Sequence, residues 1–339
     1  MPDPYIKINY GRDVAIDGIN ALDSYTAVVA DPPWAEFQKN LKNKPRKTII
    51  PKNVDEEYLQ SIADEFNESS MVVGIGGGLA IDAGKFMAWK WDAPYMRIPS
   101  IISVDAFLTR EVGVRNENRV RYIGRSEPNN VVIDYNLIRS APPVLNYAGT
   151  CDVLSICTAL GDWKIAHEQF GDEFDQEIYN RAYGLAAEML SKPDDVRDLN
   201  DQGIKYLVEC LKQECYICED WGNARPEEGG EHHLAYCVER VSPKRYLHGS
   251  LVGLNILVVL KLQGEYAAFS VAEVKEYFDA IGHEYKAEQI GISRLTYKKA
   301  LERIQDYVEQ ENLEKGLWFT ADPFEVYSID EIIDWAFKL

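Results

Sequence analysis

The chain holds five histidines, and three of them, His232, His233 and His248, fall within 17 residues. Gly230-Glu231-His232-His233 reads as the first turn of a helix, and His248-Gly249 stands just before the apolar run Ser250 to Leu262. The two imidazole positions can therefore face each other across an α-hairpin. Two imidazoles and a carboxylate make a three-ligand set for a divalent cation, leaving a coordination position where a substrate oxygen can be polarised. The nearest candidate carboxylate in the same helical region is Asp152, in Gly149-Thr150-Cys151-Asp152 at a helix start. A plainer account fits the same residues: His232 and His248 as polar caps, and Asp152 as a first-turn acid favoured by the helix dipole. His167, His233 and His283 have no partner that the sequence identifies and read as core or surface residues.

A second chemical signal is Gly74-Ile75-Gly76-Gly77-Gly78, which follows the short apolar run Met71 to Ile75 and precedes a helical segment, Leu79 to Lys90, carrying Ile81, Asp82 and Lys85. Such a turn can bring backbone amides and a helix N-terminus against a pyrophosphate. The spacing is not G-x-G-x-x-G, so a simple tight turn explains it equally well. No acidic residue about 20 positions further on decides between NAD and NADP. Asp105 follows a predicted strand, at the carboxyl edge where α/β sites form, or else caps a loop. Cys215 and Cys218, with Cys210 nearby, have redox-pair spacing but lie in a helix-like stretch without a second pair, and read as ordinary buried thiols.

These residues need elements to position them. The first 140 residues alternate β-branched runs with amphipathic segments: strands at 26–30, 47–50, 71–75, 95–98 and 131–133, helices at 33–40, 55–67 and 79–90, and a hairpin excursion over 111–123. After Ala141-Pro142-Pro143, apolar residues recur every three or four positions with no strand signal, and the tail carries a break at Asp322-Pro323 and a last helix over 329–337. The expected fold is an α/β Rossmann-like nucleotide-binding domain over 1–143 and an all-α domain over 144–339, packed as two lobes with a ligand cleft between them. With 36 Lys+Arg against 55 Asp+Glu, a formal charge of −19 argues against nucleic-acid or anionic-membrane partners. The longest apolar run, Leu251 to Leu262, falls short of the roughly 20 residues a spanning helix needs. Six cysteines make no disulfide framework and no basic-apolar leader opens the chain, so a cytoplasmic protein is expected.

Taken together, residues 70 to 265 resemble the glycerol-1-phosphate dehydrogenases, within the superfamily of iron-containing alcohol dehydrogenases, glycerol dehydrogenases and dehydroquinate synthases. Gly76-Gly77-Gly78-Leu79-Ala80-Ile81-Asp82-Ala83-Gly84-Lys85 is similar to the family's cofactor turn, Gly-Gly-Gly-x-x-Ile-Asp-x-x-Lys. Gly161 to Ala166 resembles the helix segment after its metal-ligand Asp, Arg225-Pro226 through Glu231-His232 its Arg-Pro to Ser-Glu-His stretch, and His248-Gly249 its His-Gly. The resemblance implies the dehydroquinate synthase-like fold, and a divalent metal, zinc first with nickel or iron as alternatives, held by Asp152, His232 and His248. It implies that Gly76, Gly77, Gly78, Leu79, Ala80, Ile81 and Asp82 meet the pyrophosphate of NAD or NADP, with Ser100, Ser103 and Thr109 also on the cofactor and Asp105 on the substrate.

Four positions depart from the family pattern: its Asp-Gly is Asp105-Ala106, a Thr is Ser100, the His four residues after the metal ligand is Tyr236, and His-Gly-Glu is His248-Gly249-Ser250. A phenol carries no positive charge near neutral pH, so Tyr236 would hold a phosphate or alkoxide less firmly than an imidazolium. The implied activity is metal-dependent reduction of dihydroxyacetone phosphate, or a related polyol ketone or ketose phosphate, by NAD(P)H, with Asp105, Asp152 and Tyr236 as catalytic candidates and a homo-oligomer as the expected assembly. Two alternatives stand: a dehydroquinate-synthase-like lyase using Arg110, Arg115, Arg119, Arg121 and Arg125 on a phosphate, or a homologue that binds nucleotide or metal without catalysis.

Overall fold

A computed structural model of the protein describes residues 5–66, 71–116, 119–311 and 327–339. The β-branched runs become strands β1 (Ile8–Gly11), β2 (Tyr25–Val29), β3 (Lys47–Ile49), β4 (Met71–Gly76), β5 (Tyr95–Pro99), β6 (Glu111–Asn116), β7 (Arg119–Arg125) and β8 (Val131–Asp134). Six form a parallel sheet in the order β1-β8-β5-β4-β2-β3, while β6 and β7 pair antiparallel as a separate hairpin. The connecting helices are α1 (Val14–Asn20), α2 (Asp31–Phe37), α3 (Glu56–Phe66) and α4 (Gly78–Lys90).

Residues buried on both faces explain the continuous apolar runs of the central strands. Ala27, Val29, Val73 and Ile75 face a core shared with Trp34 and Phe37 of α2. Val28 and Val72 point the other way, toward Leu59 of α3 and Ala83 and Phe86 of α4. Helices α2 and α4 therefore lie on opposite faces. From β2 the chain moves outward to β3, and from β4 it moves the other way to β5, so adjacent β2 and β4 form the topological switch point where open α/β sheets bind ligands.

Strand β1 and helix α1 were absent from the sequence reading. Ile8-Asn9-Tyr10-Gly11 is short and mixed in polarity because β1 is an edge strand, paired only with β8. Asp134, at the end of β8, ties α1 down by accepting from the Ala15 amide at 3.1 Å.

The contacts divide the chain into Met1–Asn146 and Tyr147–Leu339. Short helices α5 (Tyr135–Arg139) and α6 (Pro143–Tyr147) lead into the second unit, which is helical throughout its described residues. Its elements are α7 (Thr150–Ile165), α8 (Gln176–Leu190), α9 (Pro193–Arg197), α10 (Asp201–Trp221), α11 (Gly230–Val241), α12 (His248–Gln263), α13 (Val271–Ile281), α14 (Ala287–Ile290), α15 (Arg294–Leu301), α16 (Ile304–Glu311) and α17 (Ile329–Ala336). The break expected at Asp322-Pro323 lies outside the described residues.

One expectation needs correction. The helical stretch Pro143–Phe170 is long and apolar enough to cross a membrane by length and composition, and it exceeds the Leu251 to Leu262 run. Its apolar window is 83% buried within the protein, so that surface serves as core. Cys210, Cys215 and Cys218 all sit on α10, none of them in a disulfide.

Candidate active site

In the first unit the glycine turn joins the end of β4 to α4, beside the ends of β2 and β5. Gly76 adopts φ 155°, and a Cβ there would stand 2.7 Å from Ala80 Cβ and 2.8 Å from Ala30 Cβ. The turn is thus closed to side chains from inside the protein. Tyr95 of β5 packs against Gly74 and Gly84 and donates its hydroxyl to the Ile81 carbonyl at 2.8 Å, which fixes α4 close to the sheet. Gly77 caps α4, leaving the first-turn amides of Gly78 and Leu79 at the carboxyl edge.

The other expected cofactor residues gather around this turn with unequal freedom. The Ser100 amide donates to the Gly76 carbonyl at 3.0 Å, so the buried Ser100 is held directly beside the turn, and Ser103 is buried in the following loop. Asp82 forms a 2.9 Å ion pair with Lys85, a side chain only 1% exposed that also donates to Thr109 Oγ1 and the Glu111 carbonyl. Asp82 and Thr109 are therefore parts of one internal tie between α4 and β6. Asp105 opens a 3-10 turn after β5 and is half-buried.

Two residues here escaped the sequence reading. Arg97 of β5 is fully buried and donates to the carbonyls of Phe107, Thr109 and Ser126, which organises the loops around Asp105. Asp31 is exposed at the switch point, one residue past Ala30, whose amide donates to the Ile75 carbonyl at 2.9 Å. It is an acidic residue at the end of the strand that adjoins the glycine turn. It precedes the turn in sequence because the neighbouring strand here is β2.

In the second unit α11 and α12 bring the two histidines together. His232 is the third residue of α11 and His248 the first of α12, with ring centroids 5.5 Å apart. Two imidazoles on one tetrahedral ion, each nitrogen about 2 Å from it, have centroids about 5 Å apart, so the pair suits a shared cation. His232 Nδ1 lies 2.9 Å from Glu231 Oε1, and His248 Nδ1 lies 3.2 Å from Glu239 Oε1, which leaves each Nε2 as the outward nitrogen. Tyr236 stands one turn after His232, its ring 6.0 Å from that of His232 and 5.8 Å from that of His248, and its hydroxyl donates to Glu228 Oε1 at 3.0 Å.

Asp152 lies in the first turn of α7, 5% exposed, and its charge acts on His232. Among the described residues, however, no group of three His, Cys, Asp or Glu side chains stands at ligand spacing. The structure closes the histidine pair and does not draw Asp152 into a preformed triad with it.

A buried polar network registers the three helices that carry these residues. Glu231 accepts from the Gly229 amide at 2.8 Å and from the Thr158 hydroxyl of α7. Asp162, also on α7, accepts from the Gly230 amide at 2.6 Å. Gln263 of α12 donates to Asp162 and to the Thr158 carbonyl, and Asn255 of α12 donates to the Glu231 carbonyl at 3.0 Å. A Cβ at Gly229 would lie 2.7 Å from Asp162 Oδ2 and 2.9 Å from Glu231 Oε2, so a side chain there would push the two carboxylates out of the network.

The electrostatics favour a cation at His232. Burial pulls its pKa down, but the hydrogen bond to Glu231 and the charges of Glu228, Glu231 and Asp152 win, raising it to about 9. Burial likewise opposes ionisation of Glu231, yet the bonds from His232, Thr158 and Gly229 hold its pKa below the ordinary value. His233 goes the opposite way: burial lowers its pKa to about 3, so it is a neutral core residue. His283 is buried against Cys151, and His167 bonds the Asp172 carbonyl; neither joins the pair.

Of the arginines in and beside the hairpin, Arg110 pairs with Glu127 at 2.9 Å and Arg125 with Glu111 at 3.8 Å.

Residues 27–142 match the iron-containing alcohol dehydrogenase family. Over 278 residues the chain is 26% identical to the glycerol-1-phosphate dehydrogenase (NAD(P)+) of Thermococcus sibiricus, spanning 81% of this chain and 78% of that relative. The fold matches an iron-containing alcohol dehydrogenase from Corynebacterium glutamicum with a TM-score of 0.69 at 13% identity, covering 98% of this chain and 94% of that one. It also matches a sulfoacetaldehyde reductase from Bifidobacterium kashiwanohense, solved in complex with NAD+, with a TM-score of 0.64 at 16% identity, over 99% and 97% of the two chains. The family resemblance read from the sequence stands, as does the fold of an α/β half followed by a helical half.

Proposed function

We propose that this chain, a relative of the iron-containing alcohol dehydrogenases with the NAD(P) chemistry of that family, reduces a small hydroxylated ketone or aldehyde, dihydroxyacetone phosphate being the first candidate. The observation that carries the reading is the His232–His248 pair, each ring backed by a carboxylate and set in acidic surroundings. In this reading Asp152, His232 and His248 hold a divalent metal, zinc before nickel or iron. When bound, such a metal polarises a carbonyl oxygen as a Lewis acid.

The remaining roles fall to the chain's own groups. The amides at the start of α4 receive the cofactor's pyrophosphate, with Ser100 and Ser103 beside them and Asp31 accepting from a ribose hydroxyl. Asp82 and Thr109 support this surface through Lys85 rather than by free contact. Asp105 is the proposed substrate-orienting carboxylate. Tyr236 is a proton donor only after its hydroxyl leaves Glu228, so the Tyr236–Glu228 pair serves first to receive a substrate hydroxyl.

The test is NADH and NADPH oxidation by chelator-treated protein with and without added Zn²⁺ or Ni²⁺, using dihydroxyacetone phosphate and a panel of ketoses, aldehydes and sugar phosphates. Metal-dependent turnover that disappears in His232→Ala and His248→Ala is the expected result. Turnover that ignores metal would remove the Lewis-acid role, and silence across the panel with cofactor still bound would overturn the oxidoreductase reading.

A further inference from the structure

We infer that Glu231 is a positioning residue that selects the ligating nitrogen of His232 and sets how tightly the site holds its cation, and that Glu239 does the same for His248 with less force. The inference rests on the metal reading above and deepens it. A carboxylate on Nδ1 fixes the proton there, orients the ring and raises the basicity of Nε2, the nitrogen left for a metal.

The two carboxylates differ in how firmly they are themselves held. Glu231 is fully buried and is bonded by the Gly229 amide and the Thr158 hydroxyl in addition to His232 Nδ1, while Asn255 fixes its backbone carbonyl. It has no room to swing away. Glu239 and His248 keep side-chain exposures of 15% and 25%, and their contact is longer, 3.2 Å against 2.9 Å. Water competes for that pair, so its hold on the ring is weaker. His232 is thus the preorganised arm of the site, and His248 the adjustable one.

A purely structural Glu231, serving only to join α7 to α11, would make the same bonds to Thr158 and Gly229. The experiment therefore separates the two roles. Full-length protein is stripped with a chelator, and its affinity for Zn²⁺ is measured by competition with a chromophoric chelator for wild type, Glu231→Gln, Glu239→Gln, Thr158→Val, His232→Ala and His248→Ala, with circular dichroism reporting folding. Long-range proton–nitrogen spectra of the Zn²⁺-loaded ¹⁵N-histidine protein, in which each ligating ring is neutral, report which ring nitrogen carries the proton and which is left for the metal.

The expected affinity loss is about 10- to 100-fold for Glu231→Gln, the usual range for a partner behind a metal ligand, and roughly 3- to 10-fold for Glu239→Gln. Thr158→Val, which removes the interhelical bond but leaves the His232 contact, should lose less than about 3-fold on the same scale. The Nδ1-protonated form of each histidine should give way to a tautomer mixture only where its own carboxylate is removed. The inference is overturned if folded Glu231→Gln binds Zn²⁺ and holds its tautomer like wild type, or if Thr158→Val matches it. Should Glu231→Gln not fold, unchanged affinity and an unchanged His248 tautomer in Glu239→Gln would overturn it. Equal Zn²⁺ binding by wild type and His232→Ala is a different result, which would remove the metal reading itself.

Discussion

The glycine turn of the first unit and the histidine pair of the second are built on different principles. At the turn the chemistry belongs to the backbone, and the sequence contributes by withholding side chains: Gly76 is closed by Ala30 and Ala80, and Gly74 and Gly84 by Tyr95. At the histidine pair the chemistry belongs to side chains, and the sequence contributes a second layer of acids and amides that hold them. The first kind of site fails by steric exclusion. The second fails by losing charge balance or orientation, so substitutions in the two regions should have different signatures.

The largest effect is expected at the pair. His232→Ala should reduce metal-dependent turnover on the order of a thousand-fold, the several kcal/mol that a Lewis acid contributes to a developing oxyanion, with folding largely intact. Steady-state kinetics beside a far-ultraviolet spectrum would check it. A loss of fold equal to the loss of rate would mean that His232 is a structural residue and would erase the contrast with the turn.

The turn should show the reverse order of effects. Gly76→Val puts a branched side chain at φ 155° and against two methyl groups, and should cost about 3 kcal/mol of stability. Urea unfolding followed by fluorescence would measure it, and cofactor titration of any folded fraction should find weakened binding. A stable Gly76→Val protein would mean that the turn relaxes easily and that its glycines are not sterically required.

The two principles also explain what the sequence made legible. Glycine clusters and β-branched runs act locally, so the turn, five of the six sheet strands and the β6–β7 hairpin could be placed from spacing alone. Edge strand β1 carries too little apolar pattern to announce itself. The histidines stood out because the chain has so few, but their supports did not. Glu231 sits next to His232 and looks like any first-turn acid, while Asp162, 69 positions before Glu231, and Gln263, 32 after it, join it only through the packing of three helices. Asp31 carries no local signal, because a dinucleotide fingerprint leads one to expect its acid after the glycines, whereas the sheet order places an earlier strand beside them.

Asp31 offers a smaller and sharper test on the turn side. An exposed carboxylate at the end of β2 should accept from a ribose 2′-hydroxyl and repel a 2′-phosphate. Asp31→Ala should move the ratio of kcat/KM for NADPH over NADH upward by about 10-fold, roughly 1.4 kcal/mol, without changing metal binding. An unchanged ratio would place the adenosine ribose elsewhere and detach Asp31 from the site.

The smallest expected effect probes the second region through pH. Burial and the negative charge of Glu231 raise the pKa of Asp162 to about 6, against the bonds from Gln263 and Gly230 and the charge of Arg225. The folded state therefore binds a proton more readily than the unfolded chain, whose carboxyl has an ordinary value near 3.8. Such a group adds stability that is fully present below the unfolded value and is lost as pH rises through about 6. Neighbouring Glu231, with its lowered pKa, contributes the opposite slope at still lower pH. The useful quantity is thus the difference between wild type and Asp162→Asn, in which the Glu231 contribution largely cancels. Between pH 7 and pH 5, wild type should gain about 1 kcal/mol relative to the variant in urea unfolding. A pH-independent difference would mean that Asp162 does not change its proton on folding and that the acids behind the histidine pair act as fixed charges. A difference of the expected sign would mean that the network holding α11 to α7 takes up a proton near pH 6, a sensitivity that a turn made of backbone amides has no means to share.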